Sequence, residues 1–336
     1  MSFRRHIFHL NVTLDHILQA AERIQVHRTP VMSSQTINEY ASKESPVELF
    51  FKCELLQKTG SFKYRGASNA IQLLTPEEAK NGVVCHSSGN HAQAVALAAK
   101  QRGIPAYIVM PKTAAAIKKE AVIGYGAKII ECESSQADRE KVAKEVLEQT
   151  GAAMIHPFND PNVIAGQGTI VLELLSQVND LDAIIIPVGG GGMLTGCSIA
   201  AKSLNPRIKI FAVEPEATDD TRKSFKTKQR HSNELGRTSV ADGLAADLGE
   251  IAFESMLKYV DDVFTVSERE IIQATEIIWK RLKQCIEPSA GVGVGVALFN
   301  KEFQERIKKE KIQRIGVILC GGNVDIIKMA KLFSEL

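Results

Sequence analysis

Short, uninterrupted apolar runs recur along this chain, and most are trailed by a segment with helical periodicity. "ELFFKCEL" leads into "KYRGASNAIQLL", "NGVVCHSS" into "NHAQAVALAAKQRG", "PAYIVMP" into "AAAIKKEAVIGYG", and "AKIIEC" into "QADREKVAKEVLEQTG". Further on, "LDAIIIPVGGGG" and "IKIFAVEP" end in loops, and "QRIGVILCGGN" ends in a glycine turn before a closing helix. A strand without polar alternation must be covered on both faces. Such strands, alternating with helices, build parallel sheets with helices on either side. The expected fold class is α/β: two doubly wound domains with mainly parallel sheets. Residues 13 to 25 add a leading helix with Thr13 as its N-cap.

Nothing repeats at a fixed period, and no low-complexity linker divides the chain. Residues 82–159 hold four strand–helix units in a compact block. That block is expected to be a small domain inserted into a larger, cofactor-binding one formed by residues 1–81 and 160–336. The most polar stretch, 221–239, reads as a solvated insertion.

Composition narrows the function classes. The 336 residues are 44% hydrophobic and 24% charged, with a net charge of only +2. Acidic and basic residues are interspersed, whereas nucleic-acid and membrane-surface proteins cluster their basic residues. Neither partner is expected. No apolar run approaches the roughly 20 residues that span a bilayer, and the N-terminal stretch lacks a secretory-type apolar core. The six cysteines are scattered without a C-x-x-C pair, which fits reduced thiols rather than disulfides or zinc. Cytoplasm is the expected compartment.

In doubly wound sheets ligands bind outside the carboxyl ends of the strands, so the loops after strands matter most. In "IIIPVGGGGMLTG" (184–196) four glycines follow a buried strand and open a helix. Their N–H groups can converge on an anion at a helix N-terminus. The spacing matches neither the dinucleotide nor the Walker pattern; a tight turn is the bland alternative. "HSSGNHAQA" (86–94) concentrates Ser87, Ser88, Asn90 and His91 at a helix start, suited to a carboxylate or merely to capping. Cys320 stands at a strand end beside two glycines, where a small buried residue is the ordinary explanation. Glu214 and Asp220 in "VEPEATDD" could face a hard cation or only solvent. Lys63, in "KTGSFKYRG", is a surface charge unless burial and an amine-requiring reaction say otherwise. One anion cradle plus one amine points to a phosphorylated aldehyde, and pyridoxal phosphate fits both.

Taken in order, "KTGSFKYRGA", "SSGNHAQA", "PVGGGGM", "IEPSAGVG" and "CGGNVD" resemble the serine racemases and related serine/threonine dehydratases. These are pyridoxal-phosphate enzymes with the tryptophan-synthase-like fold, and the resemblance runs from about residue 20 to 330. It implies that Lys63 is linked to the cofactor's aldehyde, with Phe62 beside it. Gly189, Gly190, Gly191, Gly192 and Met193 would hold the phosphate, and Asn90 the phenolic oxygen. Cys320 would face the pyridine nitrogen, where racemases usually carry serine and some serine dehydratases cysteine. The resemblance makes Ser88 the second catalytic group, opposite Lys63, and assigns substrate contacts to Ser87, Asn90, His91 and Arg139. Mg²⁺ or Ca²⁺ would sit at Glu214, the backbone of Thr218, and Asp220. ATP, as an allosteric effector, would contact Lys58, Thr59, Gln93, Tyr125, Lys283 and Asn323, and a homodimer is implied.

The activity so implied is racemisation of L- and D-serine, with elimination of serine to pyruvate and ammonia. The alternatives are a catabolic L-threonine/L-serine dehydratase, a cysteine-synthase-like enzyme, or a non-catalytic binder of pyridoxal phosphate or amino acids. Two features depart from the racemase pattern: Ala245 and Ala246 after "ADG", and Phe158 where some racemases have asparagine.

Overall fold

The computed structural model describes residues 12–114 and 116–336, so the first 11 residues of the N-terminal stretch read for a secretory signal lie outside the described residues. The strands are β1 (Val31–Met32), β2 (Glu48–Cys53), β3 (Val83–His86), β4 (Ala106–Pro111), β5 (Lys128–Cys132), β6 (Ala153–Met154), β7 (Ala183–Pro187), β8 (Lys209–Pro215), β9 (Asp262–Val266) and β10 (Arg314–Leu319). They form a six-stranded sheet ordered β1-β2-β10-β7-β8-β9 and a four-stranded sheet ordered β5-β4-β3-β6. Every pairing is parallel except β1 with β2. The α/β reading with parallel sheets holds. Three strands carried no clear signal in the sequence. β1 and β6 are two residues long, and β9 alternates its burial only weakly.

The largest apolar core lies on both faces of the six-stranded sheet. Two smaller cores flank the four-stranded sheet, with Val83 and Cys85 in one and Val84 in the other. That split is the two-residue period of a strand covered on both sides. The leading helix, Leu14–Arg23, starts at Thr13, whose side chain accepts from the His16 N–H while His16 reaches back to the Thr13 N–H. No described helix is long and apolar enough to cross a membrane.

One helix ties the functional segments together. Pro161–Gln177 lies between the helix Lys63–Leu73 and the helix Gly192–Leu204. A Cβ on Gly166 would fall 2.6 Å from the Cα of Gly66, and one on Gly196 would fall 2.2 Å from the Ile164 carbonyl oxygen. The backbones therefore touch on both sides of this central helix, which is why "AGQGT" (165–169) needs its glycines.

A buried charge network reinforces the same junction. Arg65, fully buried, donates to Glu54 (2.7 and 2.8 Å), to Glu173 (2.8 and 2.9 Å) and to Thr169 (3.2 Å). Lys52 Nζ donates to Glu173 (2.7 Å), Gln177 (2.8 Å) and the Thr29 carbonyl (2.8 Å). Two cations meet two carboxylates, and the donors of both cations are matched by oxygens, the condition under which buried charge is tolerated.

Gly196→Ala is expected to destabilise the chain by at least the roughly 1–3 kcal/mol typical of overpacking, read from urea unfolding. Gly124→Ala, whose Cβ meets nothing within 4 Å, should leave the midpoint nearly unchanged.

Candidate active site

The site forms where the first turn of the helix Lys63–Leu73 meets the end of β10. After β2 the chain turns through Thr59 (φ 61°) and Gly60 (φ 72°). It then zips against the residues that follow β10. Ser61 bridges Gly321, Phe62 N–H donates to Cys320 O (3.1 Å), and Gly322 N–H donates to Gly60 O (2.9 Å). Lys63 is therefore the first helical residue, not a turn residue, and it stands beside Cys320. Its Nζ donates to the Pro157 carbonyl (2.9 Å) and lies 5.2 Å from the centre of the Phe62 ring. Burial brings its pKa down to about 8, although Cys320 and Glu287 pull the other way. An amine so poised is a nucleophile near neutral pH.

The glycine loop joins β7 to the helix Gly192–Leu204. Cβ atoms on Gly190 or Gly191 would lie 2.3 Å from the Phe158 ring and from the Ala252 Cβ respectively, and Gly191 has φ 84°. No side chain fits, so the loop presents backbone N–H groups at a helix N-terminus, an anion cradle. Met193 follows in the first turn and is buried. The cradle, the low-pKa amine and the donor set between them suit a phosphorylated aldehyde of the pyridoxal type.

Asn90 opens the helix Asn90–Arg102. Its Nδ2 donates to Glu287 (2.9 and 3.2 Å), and its Oδ1 accepts from Asn323 Nδ2 (2.8 Å), which also reaches the Thr59 carbonyl (2.7 Å). Glu287 is the residue that sequence reasoning passed over. It stands as N-cap of the helix Pro288–Phe299, its own N–H on the Gly321 carbonyl (3.1 Å). Burial raises its carboxyl to about 7, against the Asn90 hydrogen bond. The signal was present as a lone acid before proline in "IEPSAGVG", but only the fold reveals that it meets Asn90. The Cys320 thiol is pushed far up, by burial first and then by Glu287.

Ser87 and Ser88 are half-buried in the loop after β3, with Ser87 Oγ accepting from the Gly89 N–H (3.3 Å). His91 is fully enclosed. Its Nε2 meets the Ile155 carbonyl at 2.8 Å, so the proton sits there, and Nδ1 is a buried lone pair without a partner. Burial, with Lys63 nearby, lowers its pKa to about 3. A neutral ring whose one N–H is already used has none left to donate to a carboxylate. Arg139, in the helix Gln136–Thr150, donates to the Ser134 carbonyl (3.0 Å) and adds positive potential at His86. His86 in turn lies 6.1 Å from His156, ring centre to ring centre.

The two acidic residues expected at a cation converge. Glu214 accepts from the N–H groups of Thr221 (3.2 Å) and Arg222 (2.6 Å). Asp220 accepts from Leu248 N–H (2.8 Å) and Asn233 Nδ2 (2.9 Å). Burial and mutual repulsion raise the Glu214 carboxyl strongly; burial, with Asp247 nearby, raises Asp220 to about 6. Thr218 is buried between them in sequence, its hydroxyl without a partner. Among the described residues no cluster of three His, Cys, Asp or Glu side chains could hold a metal.

The residues expected at a nucleotide are only partly assembled. Thr59 and Asn323 touch. Lys58 Nζ donates to the Gln25 carbonyl (2.6 Å), and Gln93 is buried in the helix behind Asn90. Tyr125 packs on the core of the four-stranded sheet. Lys283 folds onto the Lys280 carbonyl (2.6 Å) at a cavity of about 270 Å³ shared with Trp279, Gln284 and Cys285.

Two outcomes test this geometry. Condensation of a phosphorylated aldehyde with Lys63, trapped by borohydride and located by peptide mass, should rise with a midpoint near pH 8 rather than the ordinary 10.5. For Glu287, the folded chain keeps its proton up to about 7, whereas the ordinary value is 4.5. Its contribution to stability is therefore complete below that lower value and is lost as pH rises through 7. Glu287→Gln should flatten the pH dependence of unfolding, gaining on the order of 1–3 kcal/mol over wild type between pH 5 and 8.

The family model described as "Pyridoxal-phosphate dependent enzyme" matches residues 23–321. The chain is 46% identical to a serine racemase of Dictyostelium discoideum over 326 residues, 96% of this chain and 98% of that one. It is 48% identical to the serine racemase of Homo sapiens, covering 90% of this chain and 88% of that one. The structure of maize serine racemase superposes with a TM-score of 0.91 at 45% identity, covering 96% and 97% of the two chains. The chain belongs to the pyridoxal-phosphate dependent enzyme family.

Proposed function

We propose that this pyridoxal-phosphate enzyme interconverts L- and D-serine and also eliminates serine to pyruvate and ammonia. The observation that carries the reading is the Lys63 amine, half-buried and on the Pro157 carbonyl, in no salt bridge among the described residues and flanked by Cys320. Gly189 to Gly192 and Met193 would hold the phosphate, Asn90 the phenolic oxygen, and Phe62 and Cys320 the ring. The bound cofactor supplies an electron sink that stabilises negative charge at the substrate's α-carbon.

This chain's residues do the rest. Lys63 Nζ takes the α-proton from one face, and the Ser88 hydroxyl returns a proton to the opposite face, which inverts the centre. Ser87, Asn90, the His91 N–H and Arg139 hold the carboxylate. With the cofactor bound, Cys320, whose thiol burial makes a very weak acid, would face its ring nitrogen without giving it a full proton, which would favour prompt return of the α-proton or loss of the β-hydroxyl. Both products thus share one proton abstraction.

Glu214, Asp220 and the Thr218 carbonyl form an oxygen-only set suited to Mg²⁺ or Ca²⁺. ATP would act as an allosteric effector through Lys58, Thr59, Gln93, Tyr125, Lys283 and Asn323. We further assign residues 82–159, which carry the four-stranded sheet, to a mobile small domain, and the working form to a cytoplasmic homodimer.

Purified protein given L-serine with magnesium and ATP should form both D-serine and pyruvate; absence of D-serine overturns the racemase reading. Ser88→Ala should lose racemisation by roughly 10²-fold or more, as expected for a lost acid–base group, while pyruvate formation stays within about tenfold. Equal loss of both products would remove Ser88 from its role.

A further inference from the structure

One peptide plane lies between a histidine ring and the reactive amine. Residues 156–159 are the turn that joins β6 to the central helix Pro161–Gln177. In a trans peptide the carbonyl and the N–H that follows it share one plane and point opposite ways. The Phe158 N–H donates to His156 Nδ1 (3.3 Å), and the Pro157 carbonyl of that same peptide accepts from Lys63 Nζ (2.9 Å). The Asn159 N–H makes the closer contact to His156 Nδ1, at 2.8 Å. Among the described residues the Pro157 carbonyl is the one hydrogen-bond acceptor of the Lys63 amine.

Both ends of the turn are anchored, so the ring nitrogen sets what lies between. Before it, Ile155 N–H donates to the Val84 carbonyl (2.9 Å), and the Ile155 carbonyl accepts from the His91 ring (2.8 Å). After it, Asp160 caps the central helix through the N–H groups of Asn162 (2.7 Å) and Val163 (3.3 Å). The pyrrolidine ring fixes φ of Pro157, which leaves ψ to decide where its carbonyl points. Asn and Asp side chains close turns by accepting from the N–H two residues on. Here a histidine does so, and its ring also meets the Phe158 ring edge-on at 4.7 Å, the ring that fills the space over Gly190. For Nδ1 to accept, His156 must be neutral with its proton on Nε2. Burial first, then His86 and Lys63, lower its pKa to about 4. The other titratable groups around the amine are His91, Cys320 and Glu287.

We propose that His156 is a positioning residue for Lys63, holding the 157–158 peptide so that its carbonyl fixes the amine for both condensation with the cofactor and proton transfer. This rests on the reading of Lys63 as the proton-taking amine. A lysine stem has many rotamers, and one fixed acceptor selects among them. Without the Nδ1 acceptor ψ of Pro157 is free, the carbonyl turns, and the amine loses its fixed place. A misplacement of about 1 Å costs roughly 10²-fold in rate. Both products of one proton abstraction then fall together.

The test compares His156→Asn, whose Oδ1 stands in for Nδ1, with His156→Leu, which has no acceptor. Pyridoxal phosphate is added at pH 8 to full-length protein freed of cofactor, its fold checked by circular dichroism. Condensation with Lys63 is followed by borohydride trapping and peptide mass. His156→Leu should slow it by about tenfold or more, and His156→Asn should stay within about threefold of wild type. In holoenzyme given L-serine, with rates expressed per bound cofactor, the leucine variant should lose kcat for D-serine and for pyruvate by one common factor of about tenfold or more, with KM within about twofold. A merely structural loss lowers the number of active molecules and leaves these values per bound cofactor unchanged. Should the leucine variant fail to fold, His156→Gln, with its acceptor one carbon farther out, must show the slowed condensation. Condensation at the wild-type rate in the leucine variant overturns the positioning role. An asparagine variant as slow as the leucine one overturns the acceptor as its cause. Wild-type protein without turnover on serine overturns the proton-transfer reading, while condensation, which needs no turnover, still decides the role of His156.

Discussion

The site depends on how closely the helix Pro161–Gln177 approaches its two neighbours. Gly166 meets Gly66 on the helix that begins with Lys63, and Gly168 meets Gly196 on the helix that begins at the phosphate cradle. Backbone contact on both sides leaves no side chain whose rotamer could vary the spacing. The amine and the cradle are thereby held at one separation. Arg65 locks the rotation of the lysine helix two residues beyond Lys63, through Glu54 and Glu173. Glu173 comes from the same central helix, so packing and charge converge on one element.

Around that frame His91, Glu287 and Cys320 are buried and Lys63 partly so, and burial decides their electrostatics. Lys63 loses proton affinity and Glu287 gains it, each because burial disfavours the charged form. His91 and His156 are lowered to about 3 and about 4 for the same reason, with neighbouring cations adding to it. The imidazoles therefore remain neutral hydrogen-bonding groups rather than charges. His156 spends Nδ1 on the N–H groups of Phe158 (3.3 Å) and Asn159 (2.8 Å), which sets the loop under Lys63. The groups here whose protonation changes near neutrality are Lys63 and Glu287.

Much of the fold was legible before any coordinates. β2, β3, β4, β5, β7, β8 and β10 lie within apolar runs that read as strands, because full burial on both faces leaves no polar interruption. β1 and β6 escaped because two residues make no pattern, and they are strands only by pairing with β2 and β3. Lys63, Asn90, Cys320 and the glycine loop were legible as types of chemistry, and the structure draws Lys63 and Cys320 together through the zip of 60–62 on 320–322. Glu287, Phe158 and the orientation of His91 were not legible as they stand. Each depends on a partner far along the chain: Asn90 for the first, Gly190 for the second, Ile155 for the third.

The sequence alone determined local matters: strand and helix type, the glycines where no side chain fits, and the identity of the reactive groups. These follow from burial patterns and residue chemistry that neighbours along the chain can specify. Only the tertiary structure decided which groups share an environment. Setting β10, the last strand in the chain, between β2 and β7 put Cys320 beside Lys63, and the start of the helix Pro288–Phe299 put Glu287 under Asn90. Proton affinities followed from that placement, since desolvation is a property of the assembled surroundings and not of the residue. The hydrogen bonds of Leu248 N–H to Asp220 and of Gly249 N–H to the Gly190 carbonyl belong to the same class, since each joins segments that the sequence keeps apart.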